Sequence, residues 1–152
     1  MRKQKFSLDD QDKAIVDLVE RSSQKTLATW AIDCVERVLS YYEEAYPEDH
    51  RPKQAIAVLR TWIKTGVFSM AVIRKAALDA HAAAREVGED NAARSAARAA
   101  GQAVATAHVP THSIAAANYA LQAIHRDASV FDAEDNVAKE RAWQYQHLVE
   151  MQ

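Results

Sequence analysis

The chain has 152 residues and a formal charge of −2, with only three Gly and three Pro where average usage gives roughly 18 together. So few turn residues exclude a sandwich or barrel, and Gly66, Gly88 and Gly101 cannot build a phosphate loop, a dinucleotide fingerprint or a Gly-x-Ser-x-Gly elbow. Roughly one residue in five is Ala, the strongest helix former. The composition therefore predicts an all-α, single-domain bundle with an Ala-rich, closely packed core.

In chain order, Ser7-Leu8-Asp9-Asp10 reads as a Ser cap with an acid three residues on, opening a helix to about Ser22 with Ile15, Leu18 and Val19 inward. A second helix is expected from about Thr26 to Ala45. Leu27, Trp30, Ala31, Cys34, Val38, Leu39 and Tyr42 recur along it at three- and four-residue steps, and Pro47 ends it. A third helix opens near Asp49 to Pro52, buries Ile56, Leu59, Trp62 and Ile63, and stops at Gly66. Ser69 caps the fourth, with Ile73, Ala77, Ala80, Ala84 and Val87 inward, and Gly88 closes it. Asp90 caps the fifth, on which Arg94, Ser95, Arg98, Gln102 and Thr106 form a narrow polar stripe. A helix so apolar elsewhere belongs in the centre of a bundle. Pro110 then predicts a kink or a tight join. The sixth helix runs to about Arg126 with Ile114, Ala117, Leu121 and Ile124 inward. Asp132 caps the last, with Val137, Ala138, Ala142, Tyr145, Leu148 and Val149 inward. The expected count is six or seven helices.

The charge balance supplies no basic footprint for nucleic acid. Arg74, Asp79, His81, Arg85, Arg94 and Arg98 interrupt the Ala-rich middle too often for a membrane span. The lone Cys34 cannot close an intrachain disulfide, and its place on an apolar helix face predicts an inert buried thiol. Together these predict a cytoplasmic protein with no membrane or nucleic-acid partner, and no cofactor motif is present.

Candidate chemistry is sparse. His108 and His112 have metal-ligand spacing if one helix continues through Pro110, and His81 is the available third ligand. That set defines the alternative reading, a metal-binding bundle with hydrolase chemistry. Against it stands a structural role for the rings at a helix join. Asp33 and Glu36 have a spacing that suits acid–base work, but Asp33 and Arg37 equally form an i,i+4 pair on a solvated face. His81 and Arg85 reach a neighbouring helix or line a cleft. Glu43, Glu44, Glu48 and Asp49 are either ordinary solvated surface or an acidic patch that steers a basic partner.

Four segments carry a resemblance: Asp33-Cys34-Val35-Glu36-Arg37-Val38-Leu39, Pro47-Glu48-Asp49-His50-Arg51-Pro52, Ala80-His81-Ala82-Ala83-Ala84-Arg85, and the run from Ala99 through Gly101, Gln102 and His108 to His112. In this order they resemble the immunity-five-like group of immunity proteins from bacterial polymorphic toxin systems, over about Leu27 to Tyr119, with Pro110 departing from the pattern. The resemblance implies an all-α protein that neutralises a cognate toxin by stoichiometric binding, without catalysis. Its matching polar positions, Asp33, Glu36, Arg37, Arg51, His81, Arg85, His108 and His112, become the expected common cleft or buried polar network.

Overall fold

The computed structural model describes residues 2–7 and 12–152. Among them are eight α-helices and no strand: α1 (Lys13–Glu20), α2 (Gln24–Glu36), α3 (Leu39–Ala45), α4 (Arg51–Thr65), α5 (Met70–Glu86), α6 (Ala92–Ala105), α7 (His112–Asp127) and α8 (Ala133–Glu150). The chain is all-α as expected, with one helix more than the six or seven predicted. The extra helix comes from a break in the expected Thr26–Ala45 segment. At Val38 (φ −123°, ψ −7°) the helical dihedrals fail, and the Val38 amide bonds back three residues to the Val35 carbonyl. The break lets one apolar face serve two clusters. Val35 and Leu39 pack with α4 and α6, whereas Val38 and Tyr42 pack against Ala83, Ala96 and Ala97.

Helix ends follow local chemistry. Asp12 caps α1 by accepting the Ala14 amide at 3.1 Å, a few residues beyond the expected Ser7–Asp10 cap, of which Leu8, Asp9 and Asp10 lie outside the described residues. Pro52 sits in the first turn of α4, and Gly66 ends that helix at φ 69°, a left-handed conformation that Gly adopts without a Cβ clash. Ser69 caps α5 as expected. The expected cap at Asp90 is replaced by Asn91, whose Oδ1 accepts the Arg94 amide at 3.0 Å. Asp90 instead pairs with the guanidinium groups of Arg94 and Arg126.

The join at Pro110 is tight but not helical. Helix α6 stops at Ala105, residues 106–111 form consecutive turns, and α7 begins at His112. The Ser113 hydroxyl and amide both bond the Pro110 carbonyl, at 2.8 and 3.1 Å. His108 and His112 therefore do not share one helical face.

The core is built in three clusters. The largest sets Ile32, Val35, Leu59 and Trp62 against Ala99, Ala100, Ala103 and Val104 of α6. The second surrounds Val38 and Tyr42 with alanines of α5, α6 and α7, and the third gathers Ile15, Leu18, Trp30, Cys34 and Leu148. Helix α8 departs most from expectation. Of its predicted inward residues only Leu148 is buried and Val137 half-buried, while Ala138, Ala142, Tyr145 and Val149 are exposed. The buried face carries Ala133, Glu140 and Gln144 as well, because polar partners on α2 and α7 receive it. No helix of the described residues is long and apolar enough to cross a membrane.

Candidate functional site

The polar stripe of α6 is a seam between α5 and α7. On the α5 side, Arg94 donates from Nε to the Ala84 carbonyl (3.1 Å), and Arg98 Nη1 lies 3.2 Å from His81 Nδ1. On the α7 side, Ser95 donates to Gln122 Oε1 (2.9 Å) and accepts from Arg126 Nη1 (2.9 Å). The His112 Nδ1–H donates to Gln102 Oε1 (2.8 Å). Guanidinium only donates, so His81 Nδ1 accepts and its ring is neutral. Burial, then the charges of Arg98, Arg85 and His112, push His81 below the usual imidazole value. His112 is lowered by burial and then by His108. The His81 ring lies directly over Gly101, where a Cβ would stand 2.7 Å from Nε2. Gly101 is thus the gap in α6 that admits the ring.

A second cluster docks α8 onto α2. Arg37 makes a bidentate pair with the nearly buried Glu140, with Nε to Oε2 at 2.7 Å and Nη2 to Oε1 at 3.0 Å. Its guanidinium carbon lies 3.8 Å above the Trp143 ring, and Trp143 stacks on His147, whose Nε2 is 2.7 Å from Asp33 Oδ2. Deeper, Trp30 Nε1 donates to the Gln144 carbonyl (2.9 Å), and Gln144 Nε2 donates to the Ala117 carbonyl (3.0 Å). Arg141 bridges Gln144 Oε1 and Asn118 Oδ1. Beneath these groups Cys34 is fully buried, and burial pushes its thiol well up, so it stays protonated.

The third cluster is the α3–α4 turn. Asp49 accepts from the Arg51 side chain and amide and from the Tyr42 hydroxyl (2.7 Å), while Arg51 also pairs with Glu86 of α5. Arg51 and Tyr42 hold the Asp49 carboxyl well below the usual range. Tyr42 is raised by burial and by the carboxylate it serves. The turn borders an open cleft of about 820 Å³ lined by Tyr46, Pro47, Glu48 and His50 among others.

The eight expected site residues therefore do not share one cleft. Asp33 and Arg37 each pair with α8 in place of the expected i,i+4 pair, and Glu36 pairs with Arg60 of α4. Arg51 belongs to the α3–α4 turn, and His81 and His112 flank α6. Arg85 is exposed, and His108 stacks on Phe68 with ring centroids 6.2 Å apart. His81, His108 and His112 are not gathered as the metal reading requires. Among the described residues no three His, Cys, Asp or Glu side chains are arranged to hold a metal ion. Sequence reasoning missed Glu140, Trp143, Gln144 and His147. Their three- and four-residue spacing on one face of α8 was the available signal, hidden because the face is polar.

Fold and clusters define a helical scaffold in which several charged and polar side chains tie one helix to another. The chain belongs to a family of immunity proteins: the family model described as "Imm-5 like putative immunity protein" matches residues 17–151. Comparison with curated proteins and with solved structures gives no match.

Proposed function

We propose that the protein protects a bacterial cell by binding a cognate polymorphic toxin stoichiometrically in the cytoplasm, as the family membership suggests in general terms. The observation that carries this reading is the extent of the family match, from α1 to the end of α8. Its polar clusters support it: Arg37 with Glu140, Arg51 with Asp49 and Glu86, and Gln102 with His112 each tie two segments together. Asp33, Glu36, Arg37, Arg51, His81 and His112 then act as internal ties that hold the surface in a preformed shape, which lowers the cost of association. Immunity by binding requires no catalytic group. Co-expression with each toxin domain encoded beside the gene tests the reading. Rescue of growth together with a stable complex is expected, and failure of both with every neighbouring toxin overturns it.

A further inference from the structure

Charge is segregated along this chain. Residues 51–86 hold seven Lys and Arg against two acids, a formal charge of +5, in a chain of −2 overall, so the remainder carries −7. Arg51, Arg60 and Lys75 are paired with acids. Lys53, Lys64 and Arg74 form no ion pair among the described residues.

The same α4–α5 hairpin exposes the main run of large apolar side chains. Val67 is 74% exposed, Val72 52%, Phe68 46% and Met70 43%. Beside them a groove of about 250 Å³ runs between α4 and α5, with Val58 and Trp62 on one wall and Val72 and Ile73 on the other. The patch is held in shape. Gly66 sets the turn, Ser69 caps α5, and Phe68 stacks on His108. Lys64 and Arg74 flank it on the two helices, and Lys25 of α2 reaches the turn at Gly66. The acidic segment Glu43 to Asp49 precedes the other end of α4, roughly 20 Å away along its 15 residues.

We infer that the α4–α5 hairpin is the toxin-docking face, and that it fits an acidic protein surface that places an apolar side chain in the groove. This rests on the binding reading above. An apolar centre ringed by cations is the anatomy of a protein interface, with an apolar core and a charged rim. A phosphate backbone is held by cations and hydrogen-bond donors and offers no side chain to fill an apolar groove. The acidic segment at the far end of α4 repels the same partner surface. The two ends of the helix thus orient the encounter and raise the association rate at low salt.

The test uses each purified toxin domain encoded beside the gene, with affinity and growth rescue as readouts. Phe68→Asp with Val72→Asp should weaken binding at least tenfold, as loss of a buried anchor does. Lys64→Glu with Arg74→Glu should slow association and flatten its salt dependence. Glu43→Lys with Glu48→Lys should leave affinity within about threefold. All these positions are surface ones, and unchanged melting temperatures establish that the variants fold. A photo-crosslinker replacing Met70 should label the toxin. Wild-type binding with undiminished binding by both hairpin variants overturns the inference and leaves the immunity reading standing. No wild-type complex and no protection overturns both. Hairpin-dependent self-association, or binding to anionic vesicles or DNA, with toxin affinity unaffected by the hairpin variants, also overturns the inference.

Discussion

Helices α6 and α8 are both essential walls of the bundle, yet opposite chemistry holds them. Helix α6 buries ten of its residues, seven of them Ala, one Gly and one Val, so its neighbours approach closely and its polar stripe reaches across to them. Helix α8 buries Glu140, Gln144 and Leu148 beside Ala133, and docks through paired charges, amide bonds and a stacked Trp143. The first mode depends on the absence of side-chain volume. The second depends on the presence of specific partners. A small-residue helix is therefore broken by adding atoms, and a polar one by removing them.

Gly101→Val should give the largest effect. Overpacking costs roughly 3 kcal/mol at the upper end of the usual range, and a Cβ at position 101 would already stand within 3.0 Å of three atoms of the His81 ring. Urea unfolding measures it. Gly101→Ala sharpens the point: mid-helix Ala ordinarily stabilises by about 1 kcal/mol over Gly, and here it should destabilise. The sign should revert in a His81→Ala background, a coupling read by a double-mutant cycle.

Gln144→Leu tests the other mode. It removes the side-chain bond to the Ala117 carbonyl and leaves the Arg141 Nη1 branch without its Gln144 acceptor, at a cost of about 2 kcal/mol. A swap to a larger apolar residue on α8 that stabilised the protein would show that the polar docking is dispensable.

Acid should weaken the α6 seam next. His81 and His112 are held below the ordinary imidazole value in the folded chain. Between that ordinary value, near pH 6.5, and the lower folded values, the unfolded chain binds more protons. Stability is then full above about pH 6.5 and falls as the pH drops through the folded values. Urea midpoints at pH 7.5 and pH 5 should show this loss, and His81→Gln should reduce the slope. The smallest effect is expected at Glu36→Gln. Both partners of the Glu36–Arg60 pair are about half exposed, and such pairs contribute within about 0.5 kcal/mol. A loss above 1 kcal/mol in thermal or urea unfolding would contradict this.

The same contrast explains which parts were legible beforehand. The α4 boundaries, the Ser69 cap and the inward faces of α1, α2 and α4 follow apolar spacing and end chemistry, both local properties. The α2–α3 break at Val38 was hidden, because the apolar spacing continues unbroken through it. The inward face of α8 was misread for a related reason. Periodicity ranks Val149 and Tyr145 above Glu140 and Gln144, and it has no access to Arg37 or to the Ala117 carbonyl across the bundle. Arg51 meets Glu86 and His81 meets Arg98, each on another helix, so apolar spacing along one segment carries no sign of either pair.

By itself the sequence determined that this protein is helical, poor in turn residues and a member of an immunity family, since helix propensity, capping and the family's segments are read one stretch at a time. The tertiary structure decided which partners Asp33, Glu36, Arg37, Arg51, His81 and His112 meet on other segments, and that the basic α4–α5 segment gathers exposed apolar side chains beside a groove. Partners and surfaces depend on which helices meet, and that is set by packing over the whole chain.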